Sequence, residues 1–326
     1  MKPFNKRAGR LCAAALLAAA VIGPIAASQP AGAIVGGTGT SPSVFPFFVR
    51  VNTPSATCGG TVIAPDTVLT AGHCVAGAAP SDVTVYVSDA QPRHATAIMV
   101  HPLYQKSILA DVATHDLALV SLTPGATQNV ASVQVGAPWQ AEYRAAGREA
   151  WMVGHGRTSA DSSTTNDLRY VQTVIRSDDF MDGIFNRWWT PDYWTSELNI
   201  GAGGSQKTTC FGDSGGPLLI AAGIWVQVGV TSFVWPGCSE AGAFAELSGP
   251  QLAWIAEHVP SIRDKWGPCT TPLGNAGYSL SHYSPTSVGS GRDGQYFWDI
   301  SCVGDPLPPP PPPPPPVCHG RNCQEQ

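Results

Sequence analysis

The chain has 326 residues, 43% of them hydrophobic, with 18 Lys and Arg against 23 Asp and Glu. That length supports one large or two ordinary domains with a substantial core. The acidic balance repels phosphate backbones and argues against nucleic acid as a partner.

Residues 1–33 read as an export signal. Lys2, Lys6, Arg7 and Arg10 form a basic start, an apolar run extends from Leu11 to Ile22, and Ala31-Gly32-Ala33 offers the small residues a signal peptidase reads. The run is shorter than the roughly 20 residues of a membrane span. Gly23-Pro24 breaks it and no later segment approaches that length, so no stable membrane insertion is expected. A rival cut after Ala27 would leave 28–33 as a propeptide. Removing residues 1–33 leaves 14 basic residues against 23 acidic ones, a net charge of about −9. Of nine cysteines, Cys12 lies in the signal. The even remainder, in a chain bound for the extracellular space, points to disulfides and away from thiol chemistry.

From Ile34 to about Ser248 short strands alternate with Gly, Pro, Ser and Asp. "VTVYVS" (83–88) puts Val83, Val85 and Val87 on one face and Thr84, Tyr86 and Ser88 on the other, the period of a half-buried strand. "TVIAPDTVLTA" reads as two strands around Pro65-Asp66, and "HATAIMV", "DLALVSL", "RYVQTVIRS", "WVQVGVTSF" and "AFAEL" continue the series. Such a pattern predicts an all-β barrel or sandwich. One helix closes the region: in "SGPQLAWIAEHV", Leu252, Ile255, Ala256 and Val259 form a stripe, and Ser248 with Gln251 predicts a capping box. Residues 267–305 are a Gly-, Ser- and Tyr-rich extension bracketed by Cys269 and Cys302. Residues 306–326 carry nine consecutive prolines, Pro308 to Pro316, and a tail with Cys318 and Cys323. The proline run predicts a stiff spacer of roughly 28 Å.

Three stretches carry chemistry. "LTAGHCV" holds His73, "HDLALV" holds Asp116 and "CFGDSGGP" holds Ser214. A serine hydroxyl is a poor nucleophile at neutral pH. An imidazole must take its proton, and a buried carboxylate must hold that imidazole in the right tautomer. His101 and His115 are the rival histidines. "HPLY" suits a loop, and His115 in a strand would point away from Asp116, so both read as structural or solvated.

In the order His, Asp, Ser these motifs resemble the chymotrypsin (trypsin-like) family of serine proteases. The resemblance covers Ile34 to about Lys265, within a protease domain of 34–266, and has the look of a secreted bacterial member with a C-terminal extension. It implies an all-β fold of two six-stranded antiparallel β-barrels with a C-terminal helix. It implies a serine endopeptidase without cofactor or metal, acting on protein or peptide substrates as a monomer. It implies an oxyanion hole from the Gly212 and Ser214 N–H groups, and an activating ion pair between the freed Ile34 amine and Asp213. Cys58–Cys74 and Cys210–Cys238 match the family's bridges, and closeness along the chain favours Cys269–Cys302 and Cys318–Cys323. "WMVGHGRT" resembles the family's Gly-Trp-Gly turn with His155 for tryptophan.

The matched specificity pocket is Thr208 at the base, Ser232, Phe233 and Val234 along one wall, and Gly242 opposite. Without a carboxylate at its base it suits a neutral, small-to-medium apolar side chain before the cut bond. The insert "FMDGIFNRWWTPDYWTSELN" reads either as an aromatic rim or as a loop packed on its own aromatics. The alternative function is a protease homologue that binds without catalysis. The C-terminal extension, with Tyr278, Tyr283, Tyr296, Phe297 and Trp298, suits attachment to a surface or polymer.

Overall fold

In the computed structural model the described residues are 33–88, 92–107, 112–164, 167–186 and 193–266, with only the backbone of four short strands between 269 and 302 beyond them. The leader, the polyproline run and the tail cysteines lie outside the described residues. So do Trp188 and Trp189, and the side chains of Cys269 and Cys302.

Val83, Val85 and Val87 are buried and their neighbours are not, as the alternation requires. Twelve such strands build the fold: β1 (Phe48–Asn52), β2 (Thr57–Ala64), β3 (Thr67–Thr70), β4 (Thr84–Val87), β5 (Pro92–Val100) and β6 (Ala118–Leu122). They are followed by β7 (Glu149–Gly154), β8 (Arg169–Arg176), β9 (Asn199–Ala202), β10 (Pro217–Ala221), β11 (Trp225–Phe233) and β12 (Gly242–Glu246). The first six close in the antiparallel order β1-β2-β3-β6-β5-β4 and back to β1. The second six close in the same order, β7-β8-β9-β12-β11-β10 and back to β7. Closure leaves neither barrel with an open edge. Among the described residues no helix is long and apolar enough to cross a membrane.

Each barrel has its own core. Val49, Val51, Val68, Leu69, Val85 and Val120 fill the first, and Met152, Ile200, Leu218, Ile220, Val228 and Phe244 fill the second. Between them the buried Thr61 hydroxyl donates to Gln227 Oε1 at 2.7 Å, and the Gly59 N–H donates to the Ser214 carbonyl at 2.7 Å. Ser214 therefore sits where the barrels are stitched together.

Three helices are added: α1 (Gly72–Val75), α2 (Asp178–Phe185) and α3 (Gly249–His258). The capping box expected on α3 does not form. Ser248 is the N-cap residue but makes no side-chain cap bond, while Gln251 Nε2 donates to the Leu198 and Glu246 carbonyls at 2.9 and 2.7 Å. A buried amide is better used satisfying strand-end carbonyls than capping a helix turn. The burial is also wider than a stripe, since every residue from Gln251 to Ala256 is buried. Past Trp266 the strands Cys269–Thr271 and Gly274–Ala276 pair antiparallel, as do Tyr278–Tyr283 and Phe297–Cys302.

Candidate active site

His73 lies in α1, the single turn that follows β3. Its main-chain N–H donates to Asp116 Oδ1 at 2.8 Å and its Nδ1 lies 2.7 Å from Asp116 Oδ2. Asp116, just before β6, is 1% exposed, against 21% for the imidazole. Burial by itself would raise this carboxyl, but the His73 charge and the hydrogen bonds from His73 and Ser232 outweigh it and hold the pKa below the usual carboxylate range. The Ser232 bond, Oγ to Asp116 Oδ2 at 2.6 Å, was not foreseen. Ser232 was expected as a pocket wall; it lines the cleft and also secures the carboxylate.

His115 does not occupy a strand. Its backbone is left-handed, φ +49°, in the bend between the Ala113–Thr114 strand and Asp116. Its ring stacks on buried His101 at 4.9 Å, and His101 packs edge-on to Trp254 at 4.8 Å. Burial, with the neighbouring His115 and His258, pushes the His101 pKa down to about 3, so this cluster is neutral packing behind the site. Tyr104 of the "HPLY" stretch is a second neighbour that sequence reasoning missed. A Cβ on Gly72 would meet its ring at 2.9 Å, so glycine there makes room for the tyrosine. Burial and the Asp116 charge raise the Tyr104 hydroxyl to about 12.

Ser214 sits in the turn before β10. Gly215 behind it has φ +79°, and a Cβ there would lie 2.3 Å from Thr70 Oγ1 and 2.4 Å from the Gly59 carbonyl. Only glycine lets the turn press this closely on the first barrel. Gly212, at φ +96°, precedes it. His73, Gly212 and Ser214 line one cleft of about 520 Å³, with Ser232, Phe233 and Val234 on the same cavity.

Asp213 points the other way, fully buried. It accepts from the Gly156 N–H at 2.7 Å and the Cys210 N–H at 2.9 Å, and from the Ile34 N–H. A Cβ on Gly156 would come 2.5 Å from its carboxyl carbon, which explains glycine in "GHG". Burial dominates the opposing backbone bonds and raises Asp213 to about 7. Ile34 is fully buried at φ +58°, a strained backbone for a β-branched residue. The segment is moored by Val35 N–H to the Thr208 carbonyl at 3.0 Å and by Arg169 Nη2 to the Gly37 carbonyl at 2.7 Å.

Thr208 and Gly242 lie together but off the cleft lining. Thr208 is fully buried, and its Oγ1 would be 3.4 Å from a Cβ on Gly242. The Phe233 wall is braced from α2. Phe185 meets Phe233 edge-on at 5.1 Å and stacks on Trp194 at 6.3 Å. Of the two readings of this insert, the described part is packed on its own aromatics, with Trp194 6% exposed. Cys58–Cys74 and Cys210–Cys238 are bridged, with S–S distances of 2.00 and 2.03 Å. Cys58, His73 and Cys74 cluster tightly enough for a metal, but both sulfurs are consumed in the disulfide and offer no thiolate.

A family model described as Trypsin matches residues 34–255. The chain is 28% identical to "Chymotrypsin-like elastase family member 3B" of Homo sapiens, over 72% of this chain and 92% of that protein. It is 31% identical to "Trypsin" of Saccharopolyspora erythraea, over 64% and 89%, and 30% identical to "Trypsin eta" of Drosophila erecta, over 75% and 96%. A match across two thirds of the chain, on two barrels of this closure, means that the chain belongs to the trypsin family of serine proteases and is a serine endopeptidase.

Proposed function

We propose that Ser214 is the nucleophile, His73 its general base and Asp116 the residue that orients and stabilises the imidazole. The observation that carries this is the 2.7 Å contact of His73 Nδ1 with buried Asp116, on a cleft that His73 shares with Ser214. With Nδ1 engaged, Nε2 is the nitrogen that takes the serine proton and later gives it to the leaving amine. The Ser214 oxygen attacks the peptide carbonyl, the amine departs, and water hydrolyses the acyl-enzyme. The Gly212 and Ser214 N–H groups receive the developing oxyanion.

Cleavage before Ile34 would place an α-ammonium against Asp213, replacing a neutral N–H with a charge. That supports the Ile34–Asp213 pair as the activating contact, and removal of residues 1–33 by signal peptidase as the step that creates it. N-terminal sequencing of secreted Ser214→Ala protein decides this: a start at Ile34 supports direct processing, a start at Ser28 defeats it. Secretion follows from the same leader.

The side chain before the cut bond is neutral and small-to-medium apolar. Phe233 and Val234 line the cleft, and no Asp or Glu among the described residues lines it to hold a Lys or Arg. The C-terminal extension is assigned to attachment on a surface or polymer, tested by deleting residues 268–326 and comparing retention on insoluble polymers.

The central test is labelling by a serine-directed fluorophosphonate together with peptide cleavage. Ser214→Ala abolishes labelling and lowers kcat by about a millionfold, the loss found for an unrelated serine protease. Wild-type protein that is neither labelled nor active would favour a non-catalytic binding homologue, and an unchanged rate in the variant would remove Ser214 as the nucleophile.

A further inference from the structure

The protein as a whole is acidic, with a formal net charge of −5, yet its cleft is not. Among the described residues two cations line it, Lys106 and Arg157, and no carboxylate side chain does. A cleft lined by one sign of charge focuses field inward and favours substrates of the other sign.

Arg157 is held firmly at this edge. Its main-chain N–H donates to the Phe211 carbonyl at 2.9 Å and its Nη1 donates to the Ala160 carbonyl at 2.8 Å. The guanidinium stands 5.7 Å over the Phe211 ring. Phe211 also lines the cleft and is 41% exposed, so its ring is open to a bound peptide. Arg157 Nε is buried with no hydrogen-bond partner, and no carboxylate among the described residues pairs with the group. Lys106 lies on the short strand Gln105–Lys106 that pairs with Ala113–Thr114 ahead of Asp116.

The side of the cleft follows from the packing. Gly156, the residue before Arg157, backs the oxyanion turn: its Cα would lie 3.0 Å from a Cβ on Gly212. On the reading above, the wall of Ser232, Phe233 and Val234 receives the side chain before the cut bond, and Phe211 and Arg157 line the cleft beside the oxyanion turn. We propose that this enzyme selects peptides bearing an acidic side chain on the leaving-group side of the cut bond, and that Arg157, stacked on Phe211, is the residue that reads it. The proposal rests on the serine-endopeptidase reading of the site. A planar guanidinium steadied by a ring suits carboxylate recognition.

The test uses the processed enzyme with its active sites counted by a fluorophosphonate, so that a failed nucleophile shows as absent labelling and is separate from a failed preference. Three quenched fluorescent peptides differ only in carrying Glu, Gln or Lys at the two positions after the bond. The expected order of kcat/KM is Glu, Gln, Lys, spanning about tenfold at low salt, the scale of partly exposed charge pairs. The span shrinks severalfold at about 0.5 M salt, where charges a few ångströms apart are screened. Arg157→Gln brings the Glu-to-Lys ratio to within about twofold of unity, and Arg157→Lys retains part of it. Equal rates on the three peptides with wild-type enzyme, a preference for Lys, or an unchanged ratio in a fully titratable Arg157→Gln overturns the proposal.

Discussion

Asp116 and Asp213 are both buried carboxylates, one against His73 and the other next to Ser214 in the chain, yet their proton affinities move in opposite directions. Desolvation is the largest influence on each. Around Asp116 it is overcome because the partners include an imidazole that can carry positive charge, plus a hydroxyl and an N–H. Around Asp213 the donors are three neutral backbone N–H groups, which lower the pKa but leave it near 7. Counting hydrogen bonds would rank the two sites as equals. A partner able to carry charge is what separates them. In the continuous chain Asp116 already has a partner able to carry charge, whereas Asp213 has none, and under the proposed activation a new chain terminus at Ile34 would supply one.

The largest test of this contrast removes the charge at the complete site. Asp116→Asn keeps the shape but not the charge, and lowers kcat by about 10⁴ near pH 7, the scale of a wrong imidazole tautomer. Steady-state kinetics on a titrated preparation measures it. A loss of less than tenfold would mean that the carboxylate only packs against His73.

The next effect is one of stability, in the Ser214→Ala chain that retains residues before Ile34. A carboxyl raised from 3.8 to about 7 binds its proton more tightly when folded. Its contribution is therefore fully present below about pH 4 and is lost as pH rises to about 7, up to about 4 kcal/mol. Asp116, whose pKa is lowered, runs in the opposite sense: its contribution is present above the unfolded pKa and is lost as pH falls through the folded one. Buried His101 and half-buried His115, whose pKa values burial lowers, also lose their contribution as pH falls below their unfolded value of 6.5. Subtracting the Asp213→Asn profile isolates the one group. Urea midpoints from pH 4 to 8 should show the Asp213 chain losing ground to Asp213→Asn as pH rises. Processing before Ile34 should abolish or reverse that trend. Identical pH profiles for Asp213 and its Asn variant would remove the charge account of activation.

The stretches around His73, Asp116 and Ser214 stood out because each is short and joins residue types with few other uses together, and the structure brings His73 against Asp116 and sets His73 and Ser214 on one cleft. The strands around them were legible from period-two burial, as at Val83, Val85 and Val87. α2 left a local signal that went unread: Ser177 accepts from the Phe180 N–H, and Asp178 and Asp179 fill the first turn. Only two buried residues, Met181 and Phe185, mark its apolar face, too few to declare a helix among so many aromatics. The failed capping box at Ser248 shows the converse, a sound local pattern overridden when Gln251 meets carbonyls of two other segments. The bond from Ser232 to Asp116 crosses 116 positions and joins the two barrels. No local pattern encodes it, because the contact exists only once both barrels have closed and docked.

That same bond gives the smallest and sharpest test. If it merely fills space, Ser232→Ala should alter stability and leave the chemistry's pH dependence alone. If it helps hold Asp116 ionised, losing it removes a hydrogen bond to a buried charge, about 1.5–3 kcal/mol, and kcat falls by roughly ten- to a hundredfold. The carboxylate also becomes more basic, so the acid limb of the kcat/KM profile moves upward in pH. Ser232→Thr, which keeps the hydroxyl, restores much of the rate and returns the limb toward its original position. A profile that stays fixed in Ser232→Ala while kcat drops would assign the residue to shaping the cleft wall alone. The difference between Asp116 and Asp213 would then rest on the imidazole by itself.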